Sequence, residues 1–304
     1  MTSGSRTYAV MGATGHIGKV VTERLLRAGY QVRVMGRSAD RLKGLMGQGA
    51  ISHPGAFDDT DVLAGAFRGV DAVFAMIPPD YTTGNFLAYQ DRVGSAIARA
   101  VQTTGLPSVV NLSSIGAQLS EKNGPIRGLH KQEIRLNDIK ELRVVHLRPG
   151  YFMENLLWSI PTIQSLGING SPLKGDLPVP MVATRDIGAK AAEFLADLQF
   201  RGQTAFEFVG PKPVTMQEAT SVLGKAIGKP DLKYVQFPYE EAEQAMLAAG
   251  MKPDVVGLFI EMDRGLNDGL IRATQPMTRD HLGSTSIEHF AEEFAAAFRA
   301  TPRK

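Results

Sequence analysis

The 304-residue chain contains no cysteine, which removes disulfides, thiolate nucleophiles and Cys-ligated metals from the chemistry open to it. It has a single tryptophan, and no apolar run approaches the ~20 residues of a membrane-spanning helix. The polar opening, Met1 to Arg6, leads into a strand too short to serve as a secretory signal core. Six histidines, at 16, 53, 130, 146, 281 and 289, never fall into metal-ligand spacing, and no Gly-x-Ser-x-Gly is present. Charge of one sign is missing too: 33 Lys and Arg face 31 Asp and Glu, a balance without a nucleic-acid or membrane signature. Repeats and low-complexity tracts are absent, and the Arg303-Lys304 end reads as a frayed tail. These absences lead us to expect a soluble, cytoplasmic protein that uses no metal, binds no nucleic acid directly and contacts no membrane.

What is present is concentrated near the start. The apolar strand Thr7-Tyr-Ala-Val-Met runs into Gly12, Gly15 and Gly18, and a helix follows at once, with Ile17, Val20, Val21, Leu25 and Leu26 along one stripe. Gly12 suits a tight turn, Gly15 lets backbone approach a pyrophosphate, and Gly18 lets the helix press on the strand. The first helical N–H groups then face an anion, with Thr14, His16 and Ile17 completing the loop. Tyr30-Gln-Val-Arg-Val-Met35 reads as the next strand, which supplies the βαβ setting that a dinucleotide cradle requires.

The end of that second strand separates NAD from NADP. An acidic residue there holds the ribose 2′-OH of NAD, whereas arginine meets the 2′-phosphate of NADP. The chain has Gly36-Arg37-Ser38, with Ser38 placed as a helix N-cap and Arg41 one turn further on. NADP(H) is therefore the expected cofactor. Residues 1–50 carry eight Lys and Arg against two Asp and Glu, which concentrates positive field around those phosphates.

Strand and helix patterns alternate through about residue 150, with further strands at 50–53, 71–77, 108–112 and 142–148 and helices near 60–67, 86–104 and 126–139. This predicts an α/β fold built on a doubly wound parallel sheet. Ile77 and Pro78 stand where the fourth strand stops, at the carboxyl edge where ligands of such sheets bind. Beyond Pro149 the rhythm changes. We expect a helix over 152–166, a helix from Arg185, a last core strand near 205–209, and helices near 215–227, 239–249 and 286–299. The division is a nucleotide-binding core over 1–150 and a smaller, mostly helical lobe over 151–304, interleaved with that core.

Tyr8-Ala-Val-Met-Gly-Ala-Thr-Gly-His-Ile-Gly18, Val32-Arg-Val-Met-Gly-Arg37, Gly69-Val-Asp-Ala-Val-Phe74, Leu147-Arg-Pro-Gly-Tyr-Phe-Met-Glu-Asn155 and Arg185-Asp-Ile-Gly188 together resemble the NmrA-like family of atypical short-chain dehydrogenases/reductases. The resemblance implies a Rossmann-type core, a C-terminal substrate lobe and a nicotinamide cofactor across the carboxyl edge of the sheet. It leaves the reaction open, because the family holds NADPH-dependent quinone and dye reductases, phenylpropanoid reductases and proteins that only sense the cofactor. Two departures stand out. The Tyr-x-x-x-Lys pair of short-chain dehydrogenases is missing, since no tyrosine lies between Ser113 and Leu142. Where the family often has Gly-Asp for the adenine amine, this chain has Gly55-Ala56-Phe57, so that Phe57 is left to pack on adenine unless Asp58 or Asp59 supplies the missing bond.

By the same resemblance His130 occupies the helical position at which relatives place a lysine or histidine facing the nicotinamide, and imidazole is suited to give a proton near neutral pH. Lys131 is the adjacent alternative, since only one of two successive helical residues faces a cleft squarely. Ser113, with Ser114, closes the fifth strand within reach of a substrate oxygen. Phe152, Met153, Asn155 and Trp158 on one rim, with Tyr81 and Phe86 on the other, predict an apolar, aromatic cleft for a planar acceptor. The expected activity is NADPH-dependent reduction of a quinone-like or other conjugated small molecule. The alternative is a non-catalytic NADP(H) sensor acting through a regulatory protein partner. A homodimer is compatible with either.

Overall fold

The computed structural model describes residues 6–302; the expected frayed end at Arg303-Lys304 and the polar segment before Arg6 lie outside the described residues. β1 (Thr7–Val10) is almost wholly buried and passes into a turn at Gly12, whose φ of +63° is one that L side chains resist. α1 (His16–Arg27) starts immediately and buries Ile17, Val21 and Leu25, the stripe its sequence sets at helical spacing. β2 (Gln31–Gly36) leads to α2 (Ala39–Met46), where the Ser38 side chain accepts the Arg41 N–H as an N-cap. β3 (Ile51–Pro54) leads to α3 (Thr60–Phe67), capped by Asp59, which accepts from the Asp61 and Val62 N–H groups. β4 (Ala72–Ala75), α4 (Phe86–Thr104), β5 (Ser108–Leu112), α5 (Ile126–Asn137) and β6 (Arg143–Pro149) continue the alternation.

The second half is less regular. β7 (Tyr151–Phe152) precedes a 3₁₀ segment over Met153–Ser159 and α6 (Ile160–Leu166), so the single helix expected over 152–166 is broken in two. Pro161 sits in the first turn of α6, where a residue without an N–H starts a helix more readily than it continues one. β8 (Ile168–Ser171), β9 (Met181–Val182), α7 (Thr184–Asp197) and β10 (Gln203–Phe208) follow. α8 (Met216–Ala226) opens with a reciprocal capping box between Thr215 and Glu218. β11 (Lys233–Gln236), α9 (Tyr239–Ala248), α10 (Pro253–Asn267) and α11 (Ile287–Ala300) complete the chain.

Seven strands form one parallel sheet in the order β10-β6-β5-β4-β1-β2-β3. Successive residues of β1 supply opposite faces, Ala9 to one apolar layer with Val73 and Val109, and Tyr8 and Val10 to the other with Val34 and Val145. α7 crosses α1 at Gly188, where an added Cβ would come 2.7 Å from the Cβ of Val20. A third apolar cluster, around Met153, Ile163, Phe290 and Phe294, is the core of the lobe. Small parallel pairs stitch it together, β8 with β11 and β7 with β9. Within the described residues no helix is long and apolar enough to cross a membrane.

Candidate active site

The three glycines of the first turn do different work. An added Cβ at Gly18 would lie 2.3 Å from the Gly12 carbonyl oxygen, so the packing of helix on turn forbids a side chain there. At Gly15 the nearest atom is the same oxygen at 3.3 Å, a close contact but not a collision, and the residue is exposed. Bareness at Gly15 thus leaves open space above the loop. Thr14 and His16 are exposed beside it while Ile17 is buried beneath. α1 begins without a side-chain cap and without an acidic residue in its first turn, so its leading N–H groups stay available to an anion. These residues fit a bound pyrophosphate.

Arg37 is exposed at the carboxyl end of β2, and neither it nor the exposed Arg41 makes an ion pair among the described residues. Lys43 differs, with its ammonium 2.7 Å from Asp40. Phe57 is 5% exposed and belongs to the apolar layer with Leu63 and Ile77, so it serves the core and offers little face to adenine. The cause is local: Gly55 is pressed so closely on α3 that an added Cβ would meet Val62 Cγ1 at 2.4 Å, which draws the loop inward. Asp59 is occupied by its cap and Asp58 lies 4.0 Å from Arg92. Ile77 is likewise buried, whereas Pro78 is half-buried above it.

Further along the same sheet edge, an apolar cavity of about 200 Å³ opens beyond β4, β5 and β6. Tyr81, Ser114, Gly150, Phe152 and Asn155 line it, with Trp158 at its mouth, 58% exposed. The opposite wall comes from Phe259 and Met262 of α10, a helix the sequence analysis did not foresee. Tyr81 stacks on Phe86 with centroids 5.8 Å apart and meets Trp158 and Phe259 edge-on at 6.0 and 5.5 Å, an arrangement that fixes ring positions. Phe86 therefore backs the wall without lining it. Met153 has no exposed surface and packs in the lobe core; the 3₁₀ winding turns Asn155 and Trp158 outward and Met153 inward, which corrects its assignment to the acceptor wall. Behind this cavity is a second of about 240 Å³ that shares Tyr151, Asn155, Trp158, Phe259 and Met262.

The two serines after β5 divide. Ser114 reaches the cavity, whereas Ser113 is buried and donates to Glu133 Oε1 at 2.5 Å. Arg148 donates to the same carboxylate through Nε at 2.9 Å and Nη2 at 2.5 Å. Burial works to raise the Glu133 carboxyl, but the Arg148 and Ser113 hydrogen bonds hold it below its ordinary value. Ser113 is thus engaged behind the site, which corrects its placement against a substrate oxygen. Next to this pair His146 accepts from Asn111 at Nδ1, 3.1 Å, and donates from Nε2 to Asn137, 2.9 Å; burial lowers its pKa to about 4. Lys131 is exposed and paired with Asp91 at 3.4 Å, and it lines neither cavity. His130 is half-buried and donates from Nδ1 to the Ala117 carbonyl at 2.8 Å, which leaves Nε2 as its free nitrogen. It lines neither cavity; the wall residue on its helix is Ile126, one turn earlier.

The segments that carried the family resemblance are joined in space. Glu154 accepts from both the N–H, at 3.0 Å, and the hydroxyl of Thr184, at 2.5 Å, which caps α7 from a distance. Asp186 in turn accepts from the Thr285 N–H at 2.7 Å. A parallel sheet wound both ways from its β1–β4 crevice, with a glycine turn at that crevice, defines a Rossmann-type protein. The chain belongs to the NmrA-like family, which it matches over residues 4–291. It is 30% identical, over 95% of its length and 98% of the relative's, to a (4-alkanoyl-5-oxo-2,5-dihydrofuran-3-yl)methyl phosphate reductase of Streptomyces griseus. In fold it is similar to an NADPH-dependent quinone oxidoreductase of Escherichia coli solved with NADPH, at a TM-score of 0.77, 20% identity and coverage of 94% of this chain and 99% of that one. It is also similar to NmrA, a negative transcriptional regulator solved with NAD, at a TM-score of 0.66, 16% identity and 97% coverage of both chains.

Proposed function

We propose that this protein is an NADPH-dependent reductase of a conjugated, apolar carbonyl or quinone-like acceptor. The observation that carries the reading is the aromatic cavity on the same sheet edge as the glycine cradle, with no Lys or Arg among its lining residues. The Streptomyces griseus relative, whose named substrate is an alkanoyl oxo-dihydrofuran bearing a methyl phosphate, supports the conjugated carbonyl part of this reading and not its apolar part. The cofactor, when bound, supplies hydride. Gly12, Gly15 and the start of α1 would hold its pyrophosphate, and the Arg37 fork would take the 2′-phosphate. Tyr81, Phe152 and Trp158 hold a flat acceptor and exclude water, so that geometry contributes most of the acceleration. Nε2 of His130, one turn beyond the cavity wall, would hold the proton for the acceptor oxygen, with solvent as the other source.

The missing Tyr-x-x-x-Lys pair, together with the likeness to a transcriptional regulator, favours a second reading: a cofactor sensor read by a protein partner. Oxidation of NADPH across quinones, dyes, enones and aldehydes separates the two. Turnover that falls roughly 10²–10⁴-fold in His130→Ala with cofactor affinity unchanged is the expected result. Tight NADPH binding with no turnover on any acceptor, and protease sensitivity that changes on binding, would favour the sensor.

A further inference from the structure

The second cavity holds a carboxyl group that the protein leaves alone. Asp263, on α10, is 7% exposed and lines the compartment. No hydrogen bond or ion pair to its carboxyl is formed among the described residues, and desolvation is the sole cause acting on its titration, which burial raises to about 7. Neighbouring charges are spent elsewhere. Arg264 stacks over the Tyr239 ring at 3.9 Å, Glu261 pairs with Arg127 at 2.6 Å, and Lys174 donates to the Asn267 carbonyl at 3.0 Å. The titratable groups that feel Asp263 from adjoining elements are Tyr151 and Tyr234, both raised by burial and so neutral through the physiological range. The compartment's uncharged lining includes the soft, apolar side chains Phe237, Met246, Met251 and Phe259 beside neutral polar ones such as Asn155, Ser159 and Thr162. An unpaired carboxylate facing aromatic rings and thioethers is complementary to an organic cation, which draws on the charge and the ring faces together.

We propose that Asp263 makes this compartment a subsite for a cationic nitrogen, a quaternary ammonium or protonated amine, on an extended acceptor whose reducible part lies in the first cavity. This rests on the reductase reading for the word acceptor, and on the cavity and the unpartnered carboxyl for the cation. The two cavities are adjacent, with Tyr151, Trp158 and Phe259 lining both, so a ligand that passes between those rings would occupy both. The carboxyl is ionised above about pH 7 and protonated below, so cation binding strengthens as pH rises through that value.

A matched pair of probes tests this without any turnover: benzyltrimethylammonium, whose charge does not titrate, and its neutral isostere neopentylbenzene. Calorimetric titration of the intact protein at about pH 8.5 and about pH 5.5 is expected to show the cation binding roughly tenfold tighter at the higher pH, with the neutral probe indifferent. Asp263→Asn is expected to abolish the pH dependence and to keep the neutral probe. Cation binding that ignores pH in the native protein, or a pH dependence that survives in Asp263→Asn, would overturn the subsite. The native protein's own pH dependence decides the matter even if the variant folds poorly. If selectivity appears while NADPH oxidation fails with every acceptor, the subsite is supported and only the reductase reading is lost.

Discussion

Two carboxylates on either side of the cleft obey opposite rules. Glu133, behind the sheet edge, is buried with three hydrogen bonds from Arg148 and Ser113, and is held low. Asp263, in the lobe, is equally buried with none, and is pushed up to about 7. Glu133 is satisfied from within the protein, and so fixes the position of β6 relative to α5. Asp263 is not, and a buried polar group without a partner is costly unless something else meets it. The contrast is one between two carboxyls and not between whole regions, because the core also buries polar atoms without a partner, among them Ser108 Oγ and the Gln132 side-chain amide.

The largest effect should come from breaking the settled pair. Arg148→Met leaves Glu133 as an uncompensated buried charge, with an expected loss of about 3–5 kcal/mol in urea unfolding at neutral pH. Since the folded pKa of Glu133 is depressed, the native pair's contribution is present above the unfolded pKa and fades as pH falls through the folded one; a deficit in Arg148→Met that persists undiminished in acid would show that packing, not charge, is at stake.

Asp263→Asn should act in the other direction. A folded pKa raised to about 7 means that the native state loses stability between the unfolded value and about 7, with no further loss above. The variant should therefore be more stable than the native protein by up to about 4 kcal/mol at alkaline pH, and equal to it in strong acid. Melting curves at several pH values check this, and no gain at alkaline pH would mean that the compartment is wetter than its geometry indicates. Arg37→Ala probes an open charge of the core. It should weaken NADPH roughly tenfold to a hundredfold, about 1.5–3 kcal/mol, with NADH little affected; equal native affinity for both cofactors sinks the 2′-phosphate assignment. Smallest are the caps. Asp59→Ala in the core and Thr215→Ala in the lobe should each cost about 1 kcal/mol, and a large difference between them would locate a contrast between the regions in their helices as well as in their carboxylates.

The core was legible in the sequence because its signals are local. The glycine turn, the Ser38 cap and the apolar runs of β1, β4 and β5 each act within a few residues. The cavity wall was not. Its far side comes from α10, more than a hundred residues after Phe152, and no spacing predicts that Phe259 and Tyr81 meet. β11 shows one half-buried residue among exposed ones, so it carries no alternation to read and exists through its pairing with β8. Ser113 and Ser114 illustrate a finer limit. At a strand end the period-2 rule stops applying, and only the position of Glu133 decides which serine turns inward. Met153 fails for the same reason, since a 3₁₀ turn rotates side chains by a different angle from the α-helix first expected.

The chain's route between layers bears on how such proteins can be rebuilt. After β6 it leaves the sheet for the 3₁₀ segment and β8, returns through α7 and β10, and leaves again for α8 to α11. Glu154 bonds the outbound stretch to the start of the return, and Asp186 bonds the return to the approach of α11. The cavity wall is therefore not a cassette. A chimaera that imports a relative's specificity has to carry two discontinuous pieces and both of those bonds, whereas a swap at one junction near residue 150 would strand α7 against an α1 it was not shaped to meet.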